Sequence, residues 1–286
     1  MKNLLLAALL APLLASALTM PLAAKEKPPV FVVAAAVKDK PVVALDPAKA
    51  YILLRTASAT PLYLMRVPTA EDQATYDRVR AAAFAEAREK YAKKAASYEK
   101  AKSAAAKTPG LSVPEKPVEP TEANFEFVPF GMMASVGIGP MNRFAKAKDS
   151  STYLHEVTPG SYRVYGQLAA PSGVAPVGSC FCMGSVRFDA TAGAIVDLGV
   201  IDPPDVPDKV AGDSSQPMIG DTKPLFRPAG TGMAIDPRLA NVKLIQASFQ
   251  PVGKLPNYFG VTISRVPEMP GVLRYDRDRI IDLTAP

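Results

Sequence analysis

The chain has 286 residues, 48% of them hydrophobic and 21% charged, which is enough apolar material for one large or two modest folded domains. One His and two Cys exclude multi-histidine zinc centres, four-cysteine zinc knuckles and disulfide-dense scaffolds. The formal charge of +6 does not describe a nucleic-acid-binding domain: Lys2 supplies one unit, residues 69–107 carry nine basic against six acidic side chains, and about +2 is left for everything else.

At the N-terminus, Lys2 precedes an apolar stretch over residues 4–14, and Ala15-Ser16-Ala17 and Ala23-Ala24 offer small-residue cleavage sites before Lys25. Residues 1–24 therefore read as a secretory signal. Pro12 and Pro21 interrupt the stretch, whereas a membrane-spanning helix needs about 20 unbroken apolar residues. No Cys follows to carry a lipoprotein anchor, and the longest later apolar run is residues 30–37. The expectation is a periplasmic or secreted protein without a transmembrane span, folded in an oxidising compartment.

Residues 25–68 form a first β segment. Apolar runs at 30–37, 42–45, 50–56 and 62–67 are separated by Lys38-Asp39-Lys40-Pro41 and by the turn-prone residues 57–61. Pro68-Thr69-Ala70-Glu71-Asp72 then opens a helix, with Thr69 as N-cap and Asp72 in a capping-box position, and Thr108-Pro109-Gly110 closes it. A helix over residues 69–107 is about 58 Å long. Alanine, the pairs Glu86 with Lys90 and Glu89 with Lys93, and acids gathered early with lysines late all favour it. Its stripe of Tyr76, Val79, Ala83 or Phe84, Ala87, Tyr91, Ala95, Tyr98 and Ala105 is narrow, with Phe84, Tyr91 and Tyr98 at the seven-residue spacing of a coiled coil. Such a helix either projects as an arm to meet an envelope protein or a membrane surface, or lies solvated across its own sheet. The scarcity of large apolar residues points to the second.

Residues 108–129 are a Pro- and Glu-rich strap, extended by Pro114, Pro117, Pro120 and Pro129. Beyond it, residues 130–286 return to β patterning. Residues 153–157 and 162–168 flank a Pro159-Gly160 turn, and Tyr162, Val164, Gly166 and Leu168 share one face. Residues 180–188, a turn at 190–193 and residues 194–201 make a hairpin candidate; runs at 239–249, 259–266 and 272–283 follow, and residues 202–228 form a long Pro- and Asp-rich loop. This spacing specifies a mainly β protein, a β-sandwich or barrel-like assembly with one long helical insertion.

Cys180-Phe181-Cys182 is the one constellation with chemical potential. Residues two apart in a strand lie about 6.6 Å apart, at the upper limit of disulfide geometry, so a bridge between them would be strained and redox-labile. As a single strand, this segment would turn both thiols, with Gly184, Val186 and Phe188, toward the core as small hydrophobes. Soft-metal ligation such as Cu(I) would draw on Cys180, Cys182, Met183 or His155, whereas Met132, Met133 and Met141 lack ligand spacing and read as packing residues.

His155 is the sole imidazole, and a hydrolase would need it as base, with Ser161, Ser179, Ser214 or Ser215 as nucleophile; no Gly-x-Ser-x-Gly elbow surrounds any of them. Ser97-Tyr98-Glu99-Lys100 matches Ser-x-x-Lys without its Lys-Thr-Gly partner. Asp276, Asp278 and Asp282, interleaved with Arg274, Arg277 and Arg279, read as a salt-bridged strand edge. Asp202, Asp205 and Asp208 fit no calcium loop.

Ala50-Tyr51-Ile52-Leu53-Leu54-Arg55, Val157-Thr158-Pro159-Gly160-Ser161-Tyr162-Arg163 and Phe188-Asp189-Ala190-Thr191-Ala192-Gly193, with Leu198-Gly199 beyond, resemble uncharacterised secreted bacterial proteins with small β-sandwich domains. In these families an Arg-terminated strand, a Pro-Gly-x-Tyr turn and a Phe-x-x-x-x-Gly hairpin leading to a Leu-Gly strand recur. The resemblance spans residues 30–201, with the long helix as an insertion, and implies architecture and compartment without an activity. The functional expectation is an exported, non-catalytic envelope or binding protein that needs no cofactor and binds no nucleic acid. A periplasmic thiol-redox or copper-handling protein using Cys180 and Cys182 is the first alternative, and a hydrolase using His155 the second.

Overall fold

Outside the helical insertion, alternating apolar residues fold into pleated strands that need a second sheet to cover their apolar faces. The computed structural model describes residues 29–147, 150–169, 177–180, 183–201, 226–230, 233–260, 262–266, 268–277 and 279–285, with the backbone alone for residues 177, 180 and 262–265. The expected signal segment, Cys182 and most of the loop at 202–228 lie outside the described residues.

The elements are β1 (Ala34–Ala36), β2 (Ala50–Thr56), β3 (Leu62–Arg66), α1 (Ala70–Lys107), α2 (Phe130–Met133), β4 (Ser135–Ile138), β5 (Ala145–Lys146), β6 (Ser151–Val157), β7 (Gly160–Ala169), β8 (Val177–Cys180), β9 (Val186–Ala190), β10 (Ile195–Ile201), β11 (Phe226–Arg227), β12 (Leu244–Gln246), β13 (Gln250–Pro251), β14 (Thr262–Arg265), β15 (Glu268–Met269), β16 (Leu273–Asp276) and β17 (Arg279–Asp282). One sheet runs β1-β6-β2-β10-β11, with β5 on β6 and β12 on β10. A second runs β13-β9-β7-β3-β4, with β8 on β7 and β14 on β8; β15, β16 and β17 form a small third sheet. The fold is mainly β with one long helix, as its patterning requires, and no sheet closes into a barrel among the described residues.

The main core lies between the two large sheets. Ile52, Leu54, Leu64, Val164, Phe188, Val196 and Leu198 fill it, each contributing about 1.5–3 kcal/mol by leaving water. Tyr162 stands at the start of β7 with its hydroxyl donating to the Thr158 carbonyl at 2.5 Å and its ring stacked on Phe188. This geometry resembles the tyrosine corner of β-sandwiches. The opposite face of the first sheet is also covered: Tyr51, Leu53, Leu154 and Ile195 sit under Phe144 and Leu239. Arg238 holds that cover in place. Its guanidinium donates to Asp39, Asp236, the Lys40 carbonyl and the Phe144 carbonyl, and lies 4.3 Å from the Phe144 ring centre. The guanidinium also holds the Asp236 carboxyl below its ordinary range.

Several strand expectations are corrected. Residues 42–45 form no strand and instead cover the outer face of the first sheet. Residues 180–188 are not one strand: β8 ends at Cys180, Met183 and Gly184 take positive φ, and β9 begins at Val186. The turn after β9 does not make a hairpin, because β9 pairs with β7 in the second sheet while β10 pairs with β2 in the first. The run at 239–249 shortens to β12, and residues 272–283 fold back on themselves as β16 and β17 around Arg277, whose φ is 56°. The helix does not lie across a sheet; none of its residues is buried.

Candidate functional site

The segment between β3 and β4 is a projecting arm. Its base is built by the capping box: the Thr69 hydroxyl accepts the Asp72 N–H at 3.1 Å, and the Asp72 carboxylate accepts the Thr69 N–H at 2.8 Å. Arg66 donates to the same carboxylate at 2.7 Å and to the Phe31 carbonyl at 3.0 Å, tying the helix start to the second sheet. Partial burial raises the Asp72 carboxyl, but Thr69 and Arg66 outweigh it and hold the group below its ordinary range. Tyr76 completes the base, with its ring 5.3 Å from Phe130 and 5.6 Å from Phe127 and its hydroxyl donating to the Val128 carbonyl.

Beyond this base the helix is covered by the strap rather than by a sheet. Phe84 packs on Phe125 at 5.1 Å, and Arg80 donates to Glu122 at 2.8 Å. Further out, Tyr98 and Ser97 face Pro114 and Pro117 across a cleft of about 520 Å³. The strap thus runs antiparallel to α1, and the helix residues expected as an apolar stripe are those it half buries. The lengths match: 38 helical residues span about 57 Å, and extended Pro-rich chain covers that distance in about 18 residues. Lys93, Lys100 and Lys107 repeat every seven residues, each two positions after or nine after a strap-facing tyrosine, which places them about 200° around the helix from it. All three are exposed.

His155 sits on β6 between β1 and β2, paired in register with Ala36 and Ile52. The pleat puts it on the same face as Tyr153 and Val157, toward the main core, where its Nδ1 has no hydrogen-bond partner. Burial drives its pKa from 6.5 down to about 4. Above pH 6.5 the ring is neutral in both folded and unfolded chains and adds nothing to the pH dependence. As pH falls from 6.5 to about 4, the unfolded state binds a proton that the folded state does not, and stability falls by about 3 kcal/mol. Denaturant titrations across that window should show this loss in the native chain and its absence in His155→Leu.

The structure does not bring the hydrolase candidates together. The Ser161 hydroxyl bonds the Asp189 carboxylate, Ser179 is on β8 opposite Gln167, and Ser214 and Ser215 lie outside the described residues. Met183 packs with Met65, Tyr165 and Leu168 on the outer face of the second sheet, so that sheet stands between it and His155. The Cys180 backbone pairs with Gly166 and Arg265. Met132 and Met133 are half buried in α2, and Met141 is exposed. Asp276 and Arg279 pair at 3.0 Å across the turn between β16 and β17. Sequence reasoning missed the packing of the strap on the helix, although Phe125-x-Phe127 opposite Tyr76 and Phe84 was a readable signal. It also missed the buried pair of Arg55 and Asp197, which are 142 residues apart and carry no local signature.

No family model matches this chain, and comparisons with curated proteins and with solved structures likewise give no match.

Proposed function

We propose that the protein is an exported, non-catalytic envelope or binding protein whose docking element is the arm of α1 and its strap. The observation that carries this reading is a 38-residue helix with no buried residue, fixed to the sandwich by its first turns and sheathed along its length by its own return segment. Ordering such a segment costs about 1–2 kcal/mol of backbone entropy per residue. It adds nothing to the sandwich core, so its rigidity serves something outside the sandwich. Among the described residues the reactive side chains support the non-catalytic part: His155 faces the core with its Nδ1 unbonded, Ser161 is engaged by Asp189, and Met183 is packed. The signal-like residues 1–24 support export.

Cell fractionation of the full chain, and of a variant with residues 78–126 replaced by a short Gly-Ser linker, tests the reading. That variant keeps Asp72, Tyr76 and Phe127 at the base. The full chain is expected in the envelope fraction with a mature N-terminus at Leu18 or Lys25, and the linker variant is expected folded and exported but released to the soluble fraction. Equal envelope retention of the two would refute the arm's role.

A further inference from the structure

Residues 90–116, the distal part of the arm, hold seven lysines against two glutamates, so this stretch of 27 residues carries +5 of the chain's formal +6. Lys90 is paired with Glu86, but among the described residues Lys93, Lys100 and Lys107 have no acidic partner. They form one stripe about 21 Å long, in which Lys100 and Lys107 lie clear of the strap and Lys93 stands at the rim of the cleft between Tyr98 and the strap prolines. At the turn where the arm reverses, Leu111 is 51% and Val113 46% exposed, flanked in sequence by Lys107 and Lys116. The arm therefore presents a lysine row along its shaft and two half-exposed aliphatic side chains near its tip.

We infer that the distal arm docks on an anionic phospholipid surface. This rests on the arm being the docking element and names the surface it meets. The lysine row is complementary to a negatively charged headgroup layer, and Leu111 and Val113 are placed to enter its apolar boundary. A nucleic acid would want exposed aromatic platforms among the lysines. Here Tyr91 and Tyr98 are turned toward the strap instead. Among the described residues no helix is long and apolar enough to cross a membrane, so the contact is with the surface.

Sedimentation of the full chain with phosphatidylglycerol-containing vesicles, compared with pure phosphatidylcholine vesicles, is the test. Binding is expected with the first alone and is expected to weaken steeply with salt. Each lysine near such a surface strengthens partitioning roughly fivefold, so Lys93→Gln, Lys100→Gln and Lys107→Gln together should weaken binding about a hundredfold. Gln has nearly the helix propensity of Lys, and these exposed positions leave the fold intact. Leu111→Ser with Val113→Ser should weaken binding about tenfold. Removing the same charge from exposed sites on the sandwich, with Lys38→Gln, Lys146→Gln and Arg274→Gln, should leave it unchanged. Equal binding to both vesicle types, no binding to the anionic vesicles, or indifference to the arm substitutions would overturn the assignment. So would binding to soluble polyphosphate that matches the vesicles and ignores Leu111→Ser and Val113→Ser, which would mark an acidic polymer as the partner. Should vesicle binding fail while the linker variant still leaves the envelope fraction, the lipid assignment falls and the docking arm stands.

Discussion

Asp197→Ala should lower the stability of the sandwich by about 3–5 kcal/mol, the range for breaking a buried ion pair from one side. Asp197 lies in the middle of β10 on the face away from the main core, with its side chain only 3% exposed and that of Arg55 12% exposed. One carboxylate oxygen accepts the Arg55 guanidinium at 2.7 Å and the Gly199 N–H at 2.8 Å. Removing it leaves the guanidinium with only a long 3.4 Å contact to the Ala234 carbonyl, and the Gly199 N–H without this acceptor, which is costlier than never having had the pair. The Gly199 contact also shapes the strand. The register of β10 against β2 shifts between Asp197 and Val200, and Gly199 has φ of +91° with the Arg227 carbonyl oxygen 2.1 Å from where a Cβ would stand. Asp197 thus holds a bulge that only glycine can form. Chemical denaturation of Asp197→Ala beside the double variant Arg55→Met with Asp197→Leu separates the two contributions. The double variant should recover most of the loss, since it removes the stranded charge, and the remainder reports the Gly199 hydrogen bond. A single Asp197→Ala within about 1 kcal/mol of the native chain would show that water reaches Arg55 there.

Tyr162→Ala should cost about 3–5 kcal/mol and Tyr162→Phe only about 1 kcal/mol. The ring is fully buried between the large sheets, stacked on Phe188, which in turn meets Phe249 edge-on. Truncation opens a cavity that the two rigid sheets cannot close. Loss of the hydroxyl alone leaves the Thr158 carbonyl without its donor at the corner where the chain passes from β6 to β7. A ratio of several to one between the two variants, measured by urea unfolding with an unchanged m-value, would assign the stability of this corner to packing. Comparable losses would assign it to the hydrogen bond.

What the sequence made legible was local. The helix bounds follow from Thr69, Asp72 and Thr108-Pro109-Gly110, and β2 occupies the run expected for it at residues 50–56, because caps, breakers and pleat periodicity act within a few residues. Partner choice was not legible. Residues 180–188 and 194–201 look like two arms of a hairpin, yet β9 pairs with β7 and β10 runs parallel to β2, since a sandwich core is completed when the chain crosses between sheets. The split of residues 180–188 came from Met183 in a left-handed conformation, which no propensity for methionine announces. At the arm, the tyrosine stripe was visible, but its cover was not: a Pro-rich segment has no periodicity of its own, and it packs here through single residues such as Phe125 and Pro117. The seven-residue recurrence of Lys93, Lys100 and Lys107 was present in the sequence, and its meaning depended on which side the strap covered.

The arm leaves and re-enters the sandwich between two neighbouring strands, since Met65 on β3 faces Ser135 on β4 and the Arg66 N–H meets the Ala134 carbonyl at 2.9 Å. The excursion is in effect an overgrown hairpin loop, and its length is decoupled from the fold that carries it. Adding one helical turn lengthens the shaft by about 5.4 Å and asks for only about two more residues on the return. Homologous chains could set the distance between sandwich and docking surface by such paired insertions, making the arm an adjustable spacer whose reach evolves without touching a single core position.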